Sequence, residues 1–288
     1  MTVLITGAGG QVGRALLSTA PATLQVSGVS HRELDIGDAK AVSEYFRLHS
    51  PDVVINAAAY TAVDRAESEP DLALRVNGEG ARNLAAAARD SGARLVHIST
   101  DFVFDGAGSM PYRPDAPTGP LSVYGVTKLA GEKAVLEVLP ERSVIVRTAW
   151  VYAADGTNFV RTMLRVMNAN RAVRVVADQV GTPTAARGLA ETLWKIVAQP
   201  QIAGIHHWTD AGVASWYDFA VAIAEEGVSL GLVPADVTVA PIATVDYPTP
   251  ARRPSYSVLD KSSLTSLGLV PVHWRARLRS VLGEMQRG

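Results

Sequence analysis

The sequence predicts an α/β protein with a doubly wound parallel sheet and a smaller C-terminal lobe. Three observations predict it. Short runs rich in Val, Ile and Leu alternate with helix-period segments through the first two-thirds of the chain, the rhythm of strands buried on both faces under helices. A glycine-rich turn, Gly7-Ala8-Gly9-Gly10-Gln11-Val12-Gly13, lies where the first strand gives way to the first helix. The chain has 288 residues, 48% hydrophobic and 19% charged, and a chain of that size buries roughly three-quarters of its surface. That composition excludes disordered, collagen-like and coiled-coil classes.

In order along the chain, strands are expected at residues 3–6, 24–29, 53–56, 95–99, 144–147 and 173–176. Helices are expected at residues 11–19, 39–49, 72–90, 122–139, 158–170 and 185–198. Strand followed by helix followed by parallel strand is a right-handed crossover, and repeating it builds the sheet. After about Val180 the rhythm loosens. Residues 206–208, a helix from Trp216 to Glu226 and the Pro-rich stretch 247–254 suggest a smaller lobe. The expected division is residues 1–180 as a dinucleotide-binding domain, to which later segments return, and 181–288 as mainly a substrate-binding lobe. No internal repeat or low-complexity linker interrupts the chain.

Charge and cysteine content narrow the function. Lys+Arg number 27 against 28 Asp+Glu, a formal charge of -1. Non-specific binding to nucleic acid or an acidic membrane needs a surplus of positive charge, so neither partner is expected. The absence of cysteine removes disulfides, thiolate catalysis, zinc ribbons and iron–sulfur clusters. Six histidines form no H-E-x-x-H pattern, which argues against a zinc hydrolase. Met1 leads straight into Val3-Leu4-Ile5 without a basic or apolar leader pattern, and no run approaches the ~18 apolar residues of a membrane span. A cytoplasmic protein is the expectation.

The glycines are spaced Gly7-x2-Gly10-x2-Gly13. Glycine there permits a sharp turn, close approach of a pyrophosphate and tight packing of the helix on the sheet. The helix N-terminus then presents free N–H groups and the positive end of its dipole to the phosphates. Tight strand–helix turns also use glycine for steric reasons alone, but position on the first such turn favours a Rossmann-type dinucleotide site. After the second strand the chain reads Ser27-Gly28-Val29-Ser30-His31-Arg32, with no carboxylate until Glu33. A carboxylate there would take the ribose hydroxyls of NAD, and a basic residue the extra phosphate of NADP. His31 or Arg32 therefore points to NADPH, with NADH as the alternative.

The fourth strand runs into Ser99-Thr100-Asp101, and Tyr124-Gly125-Val126-Thr127-Lys128 opens the helix that follows. Residues i and i+4 share a helix face, so the Tyr124 phenol and the Lys128 ammonium address one space. A nearby cation favours the phenolate and lowers a phenol pKa. The Thr100 hydroxyl adds a hydrogen bond to a substrate carbonyl. Together these groups can exchange a proton with an oxygen while hydride moves at its carbon. Eight tyrosines and five lysines would give roughly one chance Tyr-x3-Lys pair in seven such chains. The bare pattern is therefore weak, and its coincidence with the glycine turn and Ser99-Thr100 carries the catalytic reading.

On these residues the chain resembles the extended short-chain dehydrogenase/reductases and, within them, the dTDP-4-dehydrorhamnose reductase family. The resemblance spans nearly the whole chain. It includes Thr6–Gly13, Asn56-Ala57-Ala58-Ala59-Tyr60-Thr61-Ala62-Val63-Asp64 with Ala66-Glu67, Ser99–Gly106 and Tyr124–Glu132. More specific to this reductase are Arg147–Tyr152, Asp178–Thr184 and Tyr247–Pro254. The resemblance implies reduction of the 4-keto group of dTDP-4-dehydro-L-rhamnose with NADPH or NADH, giving dTDP-L-rhamnose for surface polysaccharide. It implies that Tyr124 donates the proton and that Lys128 tunes it and holds the nicotinamide ribose. Thr100 and Asp101 would bind the sugar and its carbonyl, Trp150 would pack on sugar or nucleotide, and Asn158 would line the same pocket. Gly10, Gln11 and Val12 would face the pyrophosphate, Asp35 and Ile36 the adenine, and Ala59, Tyr60 and Thr61 the nicotinamide. Arg253 is assigned to the substrate diphosphate, because a guanidinium fork matches phosphate oxygens. Asp64 and Glu67 are read as capping or pairing within their own loop.

One departure from the family pattern concerns magnesium. Some relatives bind Mg²⁺ at a dimer interface through acidic residues on the first helix and on the helix after the Gly-x-Pro-Thr segment. Here those regions read Arg14-Ala15-Leu16 and Ala186-Arg187-Gly188. Mg²⁺ takes carboxylate oxygens, so no metal site is expected and a homodimer is left open. A dehydratase would need a second acid after Asp101, where the chain has Phe102. An epimerase would retain NAD, and the missing carboxylate after strand two argues against that. A non-catalytic NADP-binding regulatory subunit of the same fold remains the alternative outside catalysis.

Overall fold

In the computed structural model, which describes residues 1–287, the chain begins with β1 (Thr2–Thr6), α1 (Gln11–Ser18), β2 (Gln25–Val29), α2 (Ala39–His49) and β3 (Val53–Asn56). Two short helices follow, α3 (Val63–Ala66) and α4 (Pro70–Leu74), then a π-helical turn over Arg75–Glu79 that opens into α5 (Gly80–Ser91). β4 (Arg94–Thr100), α6 (Val123–Val138) and β5 (Ser143–Thr148) complete the alternation. Later come β6 (Val151–Tyr152), α7 (Phe159–Ala169), β7 (Ala172–Val176), β8 (Val180–Gly181), β9 (Thr184–Ala185) and α8 (Ala186–Val197). The chain closes with β10 (Gly204–His207), β11 (Ala214–Ser215), α9 (Trp216–Ser229), β12 (Thr238–Ile242), α10 (Ser262–Thr265) and α11 (Trp274–Arg287).

Six strands form one sheet in the order β10-β5-β4-β3-β1-β2, and every neighbouring pair is parallel. Side chains alternate across a strand, and the apolar runs serve both faces. Val3 and Ile5 join Val53, Val96 and Val144 under Leu16, Leu189 and Leu193 of α1 and α8. Leu4 joins Val54, Leu95 and Ile145 under α2, α5 and α6, through Val42, Phe46, Leu84 and Val135. The chain leaves β1 to one side for β2 and returns on the other side as β3. Such a reversal opens a crevice at the C-terminal strand ends, where open α/β sheets bind ligands.

Two expectations are corrected. Residues 173–176 do form a strand, β7, but it pairs with β12 in a separate two-stranded ribbon, not in the central sheet. Ala172, Arg174 and their exposed face alternate with buried Val173 and Val175, a one-sided pattern unlike the continuously buried central strands. The sixth place in the sheet is taken by β10, which pairs with β5 at an edge where polar His206 is tolerated. The single helix expected over 72–90 is instead interrupted by the π-helical turn over Arg75–Glu79, where i→i+5 hydrogen bonding takes up one extra residue.

A second core lies outside the sheet. Phe219, Ile223, Met167, Val173, Leu278 and Trp274 gather α7, α9, α11 and the β7–β12 ribbon. The chain passes between the two cores more than once: α7 and β7 pack in the second, whereas the later α8 and β10 pack on the sheet.

Behind the sheet's C-terminal edge lies a buried ion pair. Arg147 on β5 donates to Glu132 on α6 through Nε (2.8 Å) and Nη2 (2.7 Å), and both side chains are 2% exposed. Ser99 at the end of β4 also donates to Glu132. Removing one partner of such a pair strands a buried charge. Glu132→Ala is therefore expected to lower the unfolding free energy by about 3–5 kcal/mol, read from the midpoint and slope of urea denaturation.

Candidate active site

The turn between β1 and α1 sits at the crevice. Gly7 adopts φ +71°, and a Cβ there would fall 2.6 Å from the Ala58 backbone, while one at Gly13 would fall 2.3 Å from the Gly7 carbonyl. Both positions therefore require glycine. A Cβ at Gly9 would meet nothing within 4 Å, and Gly9 and Gly10 are exposed. Helix α1 starts at Gly10 without a side-chain cap and without an acidic residue in its first turn. An uncapped, positively poled helix end beside open glycines fits a dinucleotide pyrophosphate, with Gln11 and Val12 in the first turn to receive it.

Around this turn the structure places the other residues expected on the cofactor side. Asp35 accepts from the Gly37 N–H at 2.9 Å and pairs with Arg75; His31 Nδ1 lies 3.7 Å away. Ile36 is buried and its carbonyl accepts from Asn83. Glu33 folds back onto Ser30, accepting from its N–H and hydroxyl at 2.8 Å each. That carboxylate is thereby engaged locally, while His31 and Arg32 stay exposed. The segment Ala59-Tyr60-Thr61 is held by Asn77, which accepts from the Tyr60 N–H (2.9 Å) and donates to Thr127 on α6 (3.1 Å). Asn77 lies in the π-helical turn, and its role was not readable from sequence. Beneath this segment Asn56 accepts from Thr6 at 2.7 Å and donates to buried His97 at 3.0 Å. Burial, reinforced by the Lys128 charge, holds His97 well below the usual histidine range, so it is neutral.

Thr100, Asp101, Tyr124 and Lys128 converge at the ends of β4 and α6. Ser122 caps α6 by accepting the Gly125 N–H at 3.2 Å. A Cβ at Gly125 would lie 2.2 Å from the Phe102 carbonyl, so glycine is what lets the helix start press against the turn after Thr100. Thr100 donates to Asp101 at 3.0 Å and accepts from the Phe102 N–H at 3.2 Å. Lys128 donates to the Ile98 carbonyl at 2.6 Å. Burial lowers its pKa to about 8, with Glu132 acting the other way. Tyr124 departs from expectation: burial pushes its phenol up to about 12, with the neighbouring Thr100 hydroxyl opposing. The Lys128 ammonium is turned onto the Ile98 carbonyl and does not offset that desolvation. Burial likewise raises Asp101 to about 6, with the Ser257 and Thr100 hydroxyls opposing.

The remaining predicted residues are more dispersed. Asn158 caps α7 by accepting from Arg161 (3.1 Å) and donates to Gln11 of α1 (2.9 Å). Trp150 adopts φ +48° and stacks on Trp216 with ring centres 3.5 Å apart. Arg253 lines a cleft of about 430 Å³ together with Asp105, Leu121, Gln179, Tyr247 and Ser255. There Asp64 grips Arg253, at 3.1 Å to Nη1 and 2.8 Å to Nη2. Asp64 thus pairs across the molecule and not within its own loop, and Glu67 accepts from the Val123 N–H at 2.9 Å. At the family's magnesium positions, Arg14 pairs with Asp155 at 2.7 Å and Arg187 with Glu191 at 3.3 Å. Guanidinium groups in place of carboxylate oxygens do not fit Mg²⁺.

A parallel sheet with this glycine turn, and a Tyr–Lys helix face set against a strand-end threonine, define a dinucleotide-dependent oxidoreductase of the extended short-chain dehydrogenase/reductase class. The chain belongs to the family described as RmlD substrate binding domain, whose pattern matches residues 1–287. A dTDP-4-dehydrorhamnose reductase from Streptomyces griseus is 49% identical over 284 residues, covering 96% of this chain and 91% of its own. Among solved structures, a dTDP-4-dehydrorhamnose reductase from Clostridium acetobutylicum has TM-score 0.94 and 42% identity, covering 99% of this chain and 100% of its own. One from Bacillus anthracis in complex with NADP has TM-score 0.92 and 35% identity, covering 98% and 99%.

The raised pKa of Asp101 has a stability consequence. Between the ordinary carboxylate value near 4 and about 6, the folded protein holds a proton that the unfolded chain has released. Stability contributed by this group is therefore present at low pH and lost as pH rises through about 6. Asp101→Asn is expected to flatten the pH dependence of unfolding free energy across that window, by up to about 1.4 kcal/mol per pH unit. Urea melts of both proteins from pH 4 to 7 check this.

Proposed function

We propose that this protein reduces the 4-keto group of dTDP-4-dehydro-L-rhamnose to give dTDP-L-rhamnose, with NADPH as reductant. The observation that carries the reading is the convergence of Thr100, Tyr124 and Lys128 beside the glycine turn, in a chain whose family relatives bear this reductase name. The cofactor, when bound, supplies hydride to the keto carbon. Tyr124 donates its proton to the oxygen on which negative charge develops. A phenol raised to about 12 is fully protonated at neutral pH, the state an acid in the reducing direction needs. Thr100 orients the carbonyl beside that phenol, and Lys128 holds the ribose and draws the phenolate charge once the proton has left.

Binding roles extend outward from this centre. Gly7, Gly10, Gln11, Val12 and Gly13 cradle the pyrophosphate, Asp35 and Ile36 border the adenine, and Ala59, Tyr60 and Thr61 border the nicotinamide. Asp101 takes sugar hydroxyls, with Trp150 and Asn158 on the far side of the sugar. Arg253, on the rim of the cleft, receives the diphosphate. The second core, built on α7, α9, α11 and the β7–β12 ribbon, is the substrate-side lobe. The Phe102 ring packs edge-on to Tyr124 at 5.5 Å, an apolar group where a dehydratase would need its second acid; this favours simple reduction. No helix among the described residues is long and apolar enough to cross a membrane, and a cytoplasmic setting accords with a cysteine-free chain.

Tyr124→Phe keeps the ring and removes the proton. It is expected to lower kcat with dTDP-4-dehydrorhamnose by ~10²–10⁴-fold while leaving the NADPH dissociation constant nearly unchanged. Lys128→Met is expected to impair both. Near-full turnover by the phenylalanine variant would defeat the assignment.

Cofactor preference is read from kcat/KM. NADPH is expected to exceed NADH, and Arg32→Ala to narrow the ratio by about tenfold, the value of one charge-assisted hydrogen bond. A wild-type preference for NADH would show that His31 and Arg32 do not face the ribose phosphate.

A further inference from the structure

The turn that follows β3 touches both sides of the candidate site. Asp64, on α3, accepts from Arg253 through both carboxylate oxygens and from the Ala251 N–H at 3.2 Å. These contacts join residues 187 and 189 positions apart. Three residues on, Glu67 accepts the N–H of Val123, the first residue of the helix that carries Tyr124. One short helical turn therefore holds the Pro-rich loop on one side and the catalytic helix on the other.

The geometry of the Arg253 guanidinium is selective. A guanidinium offers two forked edges, one through Nη1 and Nη2 and one through Nε and Nη2. Asp64 takes the first, and the second Nη1 proton serves Thr249 and the Ala251 carbonyl. Nε takes part in none of these bonds. Arg253 lines the cleft and its side chain keeps 25% of its surface exposed. The edge away from Asp64 is thus left for an anion in the cleft.

We propose that Asp64 is a positioning residue, which anchors one edge of Arg253 so that the other receives the substrate diphosphate. The proposal rests on the reading of Arg253 given above. Two effects of Asp64 oppose each other. Its negative charge opposes the diphosphate at a separation shorter than the ~10 Å over which salt screens, but the Arg253 cation lies between the two and offsets that repulsion. Its two hydrogen bonds hold a side chain that otherwise spreads over many rotamers, and directional recognition requires that order. Anchoring is the larger effect, so loss of Asp64 weakens binding.

The test measures equilibrium binding of dTDP and of thymidine, which lacks phosphates, to the full-length protein. Wild type, Arg253→Met, Asp64→Asn, Asp64→Glu and the Asp64→Asn/Arg253→Met double variant are compared, with NADPH titration and thermal melts as checks on folding. Arg253→Met is expected to weaken dTDP at least about tenfold and thymidine by less than about twofold. Asp64→Asn is expected to weaken dTDP by about five- to tenfold with the same selectivity, and Asp64→Glu, which keeps the carboxylate, by less. The double variant is expected to bind dTDP no more weakly than Arg253→Met alone, since Asp64 acts only through Arg253. With the full substrate, Asp64→Asn is expected to raise KM by more than it lowers kcat.

The failures are separable. Unchanged dTDP affinity in Arg253→Met overturns the diphosphate reading and this proposal with it. Weakened dTDP binding in Arg253→Met but unchanged or tighter binding in Asp64→Asn overturns only the role of Asp64. Equal loss of thymidine and dTDP, or additive losses in the double variant, likewise overturns it by showing a general structural effect.

Discussion

The carboxylate of Glu132 is the point on which the geometry of the candidate site hangs. It joins three elements: Ser99 at the end of β4, Arg147 on β5, and its own helix α6. Thr100 follows Ser99 directly, and Lys128 lies one helical turn before Glu132. The distance between the strand-end hydroxyl and the Tyr–Lys face is therefore set by a bidentate, fully buried ion pair. Desolvation offsets much of the Coulomb energy of such a pair, so its main contribution is position. Phe104 lies 5.1 Å from the Arg147 guanidinium, and Nη1 donates to the Pro114 carbonyl at 3.2 Å and meets His207 Nε2 at 3.4 Å. These contacts leave the arginine no other orientation.

Close approach does the rest. At Gly125 the start of α6 rests against the Phe102 carbonyl, and at Gly131 its middle rests against the Asn77 carbonyl, where a Cβ would fall 2.2 Å away. Desolvation in this packed environment then shapes the acid–base behaviour. It raises Tyr124 and Asp101 and lowers Lys128 and His97, in each case favouring the neutral form. Burial thus leaves the Tyr124 phenol protonated at neutral pH.

The same economy appears in the contacts between the cofactor turn and the later chain. Gln11 meets Asn158, and Arg14 bridges the Gly9 carbonyl and Asp155. The loop that starts α7 is thereby attached to the phosphate turn, so the second core and the sheet share the rim of one crevice. Asp64 and Arg253 make the corresponding connection between α3 and the Pro-rich loop.

Most of the architecture was legible because it depends on local periodicity. Val3-Leu4-Ile5, Val53–Asn56 and the helix over residues 39–49 declare themselves through apolar spacing alone, and the glycine turn and Tyr124–Lys128 through fixed offsets on a strand and a helix. Strand β7 was misplaced although Arg174 in its middle signalled a one-sided strand. The Asn77 turn, the Glu132–Arg147 pair, the Asp64–Arg253 pair and the upward shift of Tyr124 were decided only in three dimensions. Each depends on which side chains meet across tens to hundreds of residues, and on how much water is removed when they do. Spacing along a chain encodes which face a residue occupies; it carries no record of the partner or the dielectric that the fold will supply.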